Sequence, residues 1–379
     1  MTEAAGRVLA RDVRAALDLP HFARAYMDGY AVRASDTASA KARLRVVGTV
    51  KMGHPSPRAV APGESLRIPT GGMLPAGADA VVMVEHTREH RDGTVEISHA
   101  AAPGEHVMRR GEDVRRGQLV FERGRRIRAA DVGALSGVGT SRIRVFRRPR
   151  VALLATGDEI VAPEITPGPG QVRNVNQYAL RAMITAAGGE IIDLGVLPDR
   201  RPVIARALAR AVRTADLVLV SGGTSVGTKD LTPTVIAAMP KARILVHGIQ
   251  IKPGKPTLVA RVADTPVLGL PGNPTSALVI FELFAAPLIR RLGGEPAQRM
   301  FTPPARTTAR LGSPLPSQLG REDWLRVTLT EGGGGELIAD PARGGSGDIV
   351  SLVHADGMVC VPPEAAMLPT GATVHVHLF

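Results

Sequence analysis

Three glycine-rich turns carry most of the side chains in this chain that could do phosphate chemistry. They are SGGTSVGTKD (221–230), IKPGKP (251–256) and GLPGNPTSA (269–277). Glycines let backbone N–H groups approach a ligand closely, and the helices expected after the first and third turns favour an anion at their N-termini. Asp230 adds a carboxylate that can hold a hard cation such as Mg²⁺. The three turns together indicate a metal-assisted phosphate site.

Lys252 and Lys255 stand out against the composition of the chain. It has 6 lysines and 41 arginines, so it carries nearly all of its positive charge as arginine. Prolines fix the backbone beside both lysines, which predicts a positioned pair rather than two solvated side chains. We therefore expect two compact ammonium groups, in place of planar guanidinium groups, to offset the charge of an anionic ligand.

The elements that must position these turns alternate between strand and helix from residue 151 to 292. Short apolar runs such as VALLAT, DLVLV and PVLGL are separated by amphipathic segments, which predicts a parallel, doubly wound α/β sheet. Asn273 and Thr232, each followed by proline, are predicted to cap helices. Because ligands gather at the carboxyl ends of the strands in such sheets, the turns after DLVLV and PVLGL are expected to meet.

The remaining segments predict smaller domains around this sheet. Short strands divided by Gly, Pro and Asp indicate a small β domain, and helix-like segments at 6–17 and 127–139 flank it. The C-terminal part alternates strands with Gly/Pro turns, which predicts a barrel-like β domain with a hairpin tip at 332–335. The expected fold is multidomain α/β plus β. Its predicted boundaries are 1–30 with 115–149 for an elongated discontinuous domain, 31–114 for the small β domain, 150–297 for the α/β domain and 298–379 for the C-terminal β domain.

The composition excludes several classes of protein. A single cysteine, Cys360, permits neither a disulfide within the chain nor a cysteine-based zinc site, and a buried, inert thiol is expected. The N-terminus carries charges throughout, so no secretory signal is recognised and a cytosolic protein is expected. The longest apolar stretch, 276–289, is interrupted by Glu282 and is too short to span a bilayer.

The net charge of +12 and the pI near 10.8 raise nucleic acid as a partner. The arginines are scattered, however, and only 3% of the residues are aromatic. The chain also lacks a motif that would enter a DNA groove. We therefore expect a field that attracts small anionic substrates, with no nucleic acid and no membrane as partners.

The motifs, taken in order, resemble one family. The segments that carry the resemblance are AYMDGYAV (25–32), IPTGGMLPAGADAVVMVEHT (68–87), RRGEDV (109–114), LLATGDEIV (153–161), GQVRNVNQ (170–177), the three glycine turns and GREDWLRV (320–327). They span nearly the whole chain, and it resembles the MoeA/gephyrin family of molybdopterin molybdotransferases.

The resemblance implies the last step of molybdenum cofactor synthesis. Adenylated molybdopterin and molybdate would be the substrates, AMP would be released, and Mg²⁺ would be the cofactor. A four-domain fold and a homodimer are implied, with the active site between the α/β domain of one subunit and elements of the other. The adenylyltransferase that supplies the substrate is a further implied partner.

The resemblance also implies roles for particular residues. The positions that match catalytic residues of the family are Asp28, Thr70, Asp113, Glu159, Asp199 and Asp230, and Asp230 is also the implied Mg²⁺ ligand. The positions that match substrate-binding residues are Gly222, Gly223, Thr224, Ser225, Lys252, Lys255, Pro271, Asn273, Arg321 and Ser346. Acids can position water or receive protons, and an arginine with a hydroxyl and glycine amides suits a tetrahedral oxyanion.

Several residues also have a purely structural interpretation. Asp28 with Gly29 could form a turn, Glu159 could cap a strand end or pair with an arginine, and Asn273 could serve only as a helix cap. Tyr30 and Trp324 are expected to be packing residues.

The chain departs from the family pattern at three places. It begins close to the segment that follows an additional N-terminal helix in most members, so an altered or weaker dimer is expected. Gly248 stands where many members carry a lysine, so no third cation is expected there. Ala25 and Tyr26 stand where a Ser-Ala pair is common.

Two other functions remain open at this stage. A non-catalytic scaffold that binds pterin or nucleotide would keep the fold, but loss of Asp230 or of the lysines would favour it, and all of them are present. A homologue that uses tungstate in place of molybdate would have the same residues.

Overall fold

In the computed structural model, contacts divide the chain into two units, Met1–Val145 and Phe146–Phe379. The structure describes residues 2–39, 41–56, 58–223, 231–301, 305–342, 344–345, 347–348 and 350–379. Four of the predicted site residues, Thr224, Ser225, Asp230 and Ser346, lie outside the described residues. The finer domain boundaries stay predictions.

The first unit is mostly β structure. Its strands are β1 (Val13–Arg14), β2 (Arg24–Ala25), β3 (Gly29–Val32), β4 (Ala42–Thr49), β5 (Glu64–Ile68), β6 (Ala80–Met83), β7 (Thr87–Glu89), β8 (Thr94–Ile97), β9 (Val107–Met108) and β10 (Leu119–Phe121). Its α-helix is α1 (Ala129–Gly137), and 3₁₀ turns occur at Thr2–Ala4, Ala34–Thr37 and Val84–His86.

Six of these strands form one sheet in the order β6-β3-β5-β4-β8-β7. Successive side chains of a strand point to opposite faces, and both faces of this sheet carry a core. Tyr30 and Val32 pack on one face with Leu44, whereas Ala31 packs on the other face with Leu66. The small β domain that the sequence predicts is therefore present, with β3 between the edge strand β6 and β5.

The segments that flank this sheet correct one prediction. Residues 127–139 contain α1 as expected, but residues 6–17 form isolated bridges and the short strand β1 instead of a helix. Val8 pairs with Arg126, and β1 pairs with β10. Leu9 packs with Leu135 in one core, so pairing across the chain overrides the local helix propensity of this segment.

The second unit begins with an α/β region. Its strands are β11 (Arg150–Thr156), β12 (Ile160–Val161), β13 (Val172–Arg173), β14 (Glu190–Leu197), β15 (Leu217–Ser221), β16 (Ala242–His247), β17 (Ile251–Lys252), β18 (Leu258–Val262) and β19 (Thr265–Leu270). Its helices are α2 (Asn176–Ala186), α3 (Arg201–Thr214), α4 (Leu231–Ala237), α5 (Pro274–Ile280) and α6 (Ala286–Leu292).

The α/β sheet has the order β14-β11-β15-β19-β18-β16, with helices on both faces. Leu153 and Leu219 pack against α2, α5 and α6, and Leu154 and Val218 pack against α3 and α4. The doubly wound fold is confirmed. The expectation of an all-parallel sheet is wrong, because β18 runs antiparallel to both neighbours. Only residues 263–264 separate β18 from β19, which is too short for the crossover that parallel strands need.

The last predicted helix of this region, 273–294, has an interruption. A π-helical turn at Phe281–Ala285 separates α5 from α6, and the Ala286 amide donates to the Phe281 carbonyl. Pro287 follows and has no amide hydrogen to donate. The missing donor gives a local reason for the widened turn.

The C-terminal region contains a closed β-barrel. Its strands are β20 (Arg306–Leu311), β21 (Leu315–Pro316), β22 (Glu322–Glu331), β23 (Leu337–Pro341), β24 (Gly357–Val361), β25 (Met367–Leu368) and β26 (Thr373–Leu378), with the short helix α7 at Val350–Val353 and a 3₁₀ turn at Ala297–Arg299. The order β22-β23-β20-β26-β24 closes because β24 pairs again with β22. The Gly332 amide donates to Glu336 at the tip between β22 and β23, as expected.

Three further expectations concern single residues and membrane crossing. Tyr30 and Trp324 are buried packing residues, and both side chains donate a hydrogen bond to a glutamate. Cys360 is half-buried in β24, and desolvation raises the pKa of its thiol to about 12, so the thiol stays protonated. A search of the described ranges finds no helix with the length and hydropathy needed to cross a bilayer.

Candidate active site

The first and third glycine turns meet at the carboxyl edge of the α/β sheet. β15 and β19 are parallel neighbours, with Val218 opposite Val267 and Ser221 opposite Leu270. The Gly222 amide donates to the Leu270 carbonyl at 3.2 Å. The expected meeting of the two turns is therefore confirmed, and it follows from their positions after adjacent parallel strands.

The edge between β11 and β15 is the point where the strand order reverses. From β11 the chain goes outward to β14 on one side and then returns to β15 on the other. Loops diverge at such a switch point and leave a crevice outside the strands. A cavity of about 870 Å³ lies there, and we call it the first cavity. Of the predicted site residues, it is lined by Glu159, Asp199, Gly222, Gly223, Pro271 and Asn273.

The glycines of the first cavity are required by close backbone approach. Gly222 has φ +89°, and a Cβ there would lie 2.6 Å from the Thr156 carbonyl oxygen. Gly223 has φ +61°, and its Cβ would lie 2.8 Å from the Thr232 hydroxyl and 2.9 Å from the Thr156 hydroxyl. Any larger residue would fill the crevice and strain the turn.

Two carboxylates stand at the wall of this cavity. Glu159 forms no ion pair with a described residue, so the structural interpretation in which it pairs with an arginine is not supported among these residues. A Cβ at Gly157 would lie 2.8 Å from the Glu159 carboxylate, so a larger residue at position 157 would displace that carboxylate. Partial desolvation raises the pKa of Asp199, and the negative charge of Asp158 raises it further.

The donor set of the first cavity suits a hard cation. Its described lining residues offer carboxylate, hydroxyl, amide and backbone oxygens, with no histidine or cysteine among them. Mg²⁺ prefers such oxygen ligands and usually takes one or two carboxylates together with phosphates and water. In the part of the chain that the structure describes, no group of three His, Cys, Asp or Glu residues converges on one point. The fit is therefore to a cation shared with a phosphate ligand.

The helix caps differ from the sequence prediction. Asn273 occupies the N-cap position of α5, but its side chain makes no capping hydrogen bond, and Pro274 follows as the first helical residue. Thr232 lies inside the first turn of α4 and is fully buried, so it is not the cap. Neither side chain therefore caps its helix.

Three polar residues line the first cavity without having been predicted as site residues from the sequence. Thr156 and Thr232 are buried. A hydrogen bond from the Thr156 side chain partly offsets the raised pKa of Asp199, and the Thr232 hydroxyl has no hydrogen-bond partner among the described residues. The Asn176 carbonyl oxygen has none either. Asn176 belongs to the segment GQVRNVNQ, but spacing alone gave no reason to single out one amide. Such unpartnered atoms are visible only once burial is known.

A second cavity, of about 560 Å³, adjoins the first and shares Pro256 and Ser276 with it. Lys252, Lys255 and Arg321 line it, as does Arg326. No Asp or Glu occurs among its described lining residues. The second cavity is therefore cationic, whereas the first is lined by the carboxylates Glu159 and Asp199 together with Arg173.

The two arginines of the second cavity are held by different partners. Arg321 donates to Asp323 at 2.7 and 3.2 Å, so part of its charge is neutralised within the barrel. Arg326 is 8% exposed and donates to the carbonyl oxygens of Gly344 and Asp348. Sequence reasoning chose Arg321, which precedes β22, and missed Arg326 within β22, because the burial of Arg326 is visible only in the tertiary structure.

The lysine turn is placed by packing at both ends. β17 pairs in parallel with β22, which sets Lys252 opposite Asp323. Gly254 has φ +136°, and a Cβ there would collide with the Ile280 side chain of α5. Both lysine side chains are exposed. Gly248, the position without a third lysine, donates its amide to the Thr257 carbonyl at 2.9 Å.

The other predicted acids lie in the first unit. Asp28 is exposed, and its carboxylate accepts a hydrogen bond from the Thr70 amide at 2.6 Å, so these two predicted residues are brought together. Gly29 belongs to β3 and a Cβ there would collide with the Val82 carbonyl, so Asp28 precedes a strand and the Asp-Gly turn interpretation is wrong. Asp113 is exposed, and its amide donates to Leu19.

A residue beside Asp113 links two motifs of the first unit. The Tyr26 hydroxyl donates to the Glu112 carboxylate at 2.7 Å. Glu112 also accepts from the Arg109 amide at 2.8 Å, and this amide is the main cause that lowers the pKa of Glu112. The departure at Tyr26 therefore has a structural role in joining AYMDGYAV to RRGEDV.

Comparison with known proteins agrees with this architecture. Three family models match: "MoeA N-terminal region (domain I and II)" over residues 1–139, "Probable molybdopterin binding domain" over 152–291, and "MoeA C-terminal region (domain IV)" over 308–379. The molybdopterin molybdenumtransferase of Nostoc sp. is 34% identical over 98% of this chain and 86% of the relative. That of Haemophilus influenzae is 33% identical over 100% and 93%.

Solved structures show the same fold. A crystal structure of the molybdopterin biosynthesis MoeA protein from Pyrococcus horikoshii has a TM-score of 0.85 with 29% identity, covering 100% of this chain and 93% of that one. The likeness to the relatives therefore extends over all the segments that build the two cavities. The chain belongs to the MoeA family of molybdopterin molybdenumtransferases.

Proposed function

We propose that this protein inserts molybdate into adenylated molybdopterin and releases AMP, as the last step of molybdenum cofactor biosynthesis. Its family membership makes it a transferase with a role in molybdenum cofactor biosynthesis. The observation that carries the finer proposal is the pair of adjoining cavities, since a carboxylate-lined crevice at the sheet edge meets a cationic pocket. Two neighbouring pockets of different charge suit two substrates that must react with each other.

In this proposal the first cavity binds the pterin–nucleotide substrate. Gly222 and Gly223 leave room for the ligand, while the Gly222 amide is used by the Leu270 carbonyl. Thr224 and Ser225 come next in the sequence and are proposed to bind the same ligand. Pro271 and Asn273, from the neighbouring turn, also line this cavity. Asp230 would hold Mg²⁺, which would supply positive charge to offset the phosphates, and Glu159 and Asp199 of the first cavity are carboxylates that could share it.

The second cavity then receives molybdate. Lys252 and Lys255 supply two positive charges without carboxylate competitors, and Arg321 with Ser346 would donate hydrogen bonds to the tetrahedral oxyanion. The shared wall at Pro256 and Ser276 would bring molybdate beside the other substrate. Catalysis in this scheme rests on positioning and charge neutralisation, with Asp28, Thr70 and Asp113 as further proposed catalytic residues.

The direct test measures AMP release from adenylated molybdopterin in the presence of Mg²⁺ and molybdate. Asp230→Ala is expected to lower the rate by a factor of about 100 or more, because one preorganised charge commonly contributes that much. Equal rates for wild type and Asp230→Ala would contradict the catalytic proposal.

The same assay, run against molybdate concentration, tests the second cavity. Lys252→Met and Lys255→Met should each raise the molybdate concentration for half-maximal rate about tenfold, which is the loss of one charge-assisted contact. Lys241→Met is the matched control, because Lys241 is exposed and lies just before β16, at the opposite edge of the sheet. A uniform effect of all three substitutions would point to bulk charge instead of a molybdate site, and a tungstate series would measure the choice of oxyanion.

A further inference from the structure

Asn176 ties together the two strand ends that carry the glycine turns. It is the first residue of α2 and lines the first cavity. Its Nδ2 donates to the Ser221 hydroxyl at 3.0 Å and to the Gly272 carbonyl at 2.8 Å. Ser221 ends β15, and Gly272 lies in the turn after β19. One side-chain amide therefore bridges the two neighbouring glycine turns that line the crevice.

The orientation of this amide is determined by its partners. The Gly272 carbonyl can only accept a hydrogen bond, so the atom that faces it must be the nitrogen. Both hydrogens of the nitrogen are then used, and Oδ1 is the atom left over. Oδ1 is buried and accepts no hydrogen bond from the described residues. A buried acceptor without a donor costs free energy, and a bound donor would recover it.

We propose that Asn176 is a specificity-determining residue whose Oδ1 accepts a hydrogen bond from an N–H group on the heterocycle of the ligand in the first cavity. This inference rests on the proposed function, because it takes the ligand to be a pterin joined to adenosine monophosphate. Phosphate oxygens at neutral pH offer no N–H group, whereas the pterin ring and the adenine amino group both do. A buried acceptor discriminates strongly against a ligand that lacks the donor.

The two sources of the N–H group can be separated by binding each half of the substrate alone. Isothermal calorimetry would measure the Kd of AMP and of non-adenylated molybdopterin for the full-length wild type and for Asn176→Ala. We expect Asn176→Ala to weaken one of the two ligands about tenfold and to leave the other within about twofold. The ligand that weakens identifies the ring that Asn176 contacts.

Ser221→Ala is the matched variant for the bridging role. It removes one of the two contacts of Nδ2 and leaves the Asn176 acceptor in place, so its loss of affinity should stay below about threefold. Thermal unfolding of both variants reports how far each loosens the bridge. Should Asn176→Ala fail to fold, Asn176→Ser is used, because serine also has no oxygen at the Oδ1 position.

Three results would overturn the inference. One is an unchanged Kd of both ligands for the Asn176 variant, and another is an equal loss in Ser221→Ala, which would make Asn176 a bridge only. The third is a wild type that binds neither ligand. A wild type that binds a heterocycle in an Asn176-dependent way but releases no AMP would contradict the proposed function and leave this inference standing.

Discussion

At the scale of single residues, the first cavity places negative groups where phosphates are expected. Glu159 and Asp199 line it, and desolvation, followed by the negative charges of Asp158 and Glu159, raises the pKa of Asp199. Carboxylates that repel one another and would repel a phosphate need a cation between them. This electrostatic repulsion supports the proposed Mg²⁺ site.

The raised pKa of Asp199 predicts a pH dependence of stability. A carboxyl group whose pKa is higher in the folded than in the unfolded protein stabilises the fold at low pH, and this contribution is lost as pH rises through the folded pKa. The unfolding midpoint of the wild type minus that of Asp199→Asn should therefore become smaller as pH rises from 4 to 7. Thermal unfolding across this range measures it.

Asp216 provides the control with the opposite sign. Its hydrogen bonds from Arg147 lower the pKa of its carboxyl group, so its contribution is present above the unfolded pKa and lost as pH falls. The unfolding midpoint of the wild type minus that of Asp216→Asn should become larger over the same pH range. Parallel trends for Asp199 and Asp216 would contradict the assignment of the two shifts.

At the scale of elements, short connections decide the details of the α/β sheet. The two-residue link between β18 and β19 makes β18 antiparallel, and the lysine turn then lies between β16 and β18. β17, inside this turn, pairs with β22 of the barrel. The lysine turn is therefore positioned by the α/β sheet and by the barrel sheet of the second unit. The other two glycine-rich turns do not position it.

Two glycines at the carboxyl edge of the α/β sheet differ in whether a larger residue would fit. Gly222→Ala should lower the free energy of unfolding by about 1–3 kcal/mol, because φ +89° and the Thr156 carbonyl both oppose a Cβ. Gly272→Ala should change it by less than about 1 kcal/mol, since the nearest atom to its Cβ lies at 3.9 Å. Urea unfolding measures both. Similar losses at the two positions would contradict this account of the turns.

At the scale of the whole molecule, the two units hold different parts of the proposed site. Asp28, Thr70 and Asp113 belong to Met1–Val145, whereas both cavities are built from Phe146–Phe379. The family resemblance implies a homodimer, and we propose that this protein forms one. The net charge of +12 would then act on the anionic substrates of both copies.

Light scattering at micromolar concentration tests the proposed dimer. We expect a species of twice the chain mass of 39.8 kDa. A species of 39.8 kDa alone at micromolar concentration would contradict the proposal.

The sequence by itself determined the order of the elements and the meeting of two glycine turns. Apolar runs of strand length and amphipathic helices report burial locally, and parallel neighbours bring the ends of their strands to one edge. That logic placed Gly222, Gly223, Pro271 and Asn273 correctly at one crevice. It also separated the small β domain and the barrel from the α/β sheet.

Only the tertiary structure decided which polar atoms are left without partners and which charges are already neutralised. Asn176 and Thr232 became candidates through burial, and the Asp323 carboxylate was found to offset part of the charge of Arg321. The bridges that replace a helix at 6–17 likewise depend on residues more than a hundred positions away. Hydrogen-bond satisfaction and strand pairing are relations between distant segments, so no local pattern of residue types can report them.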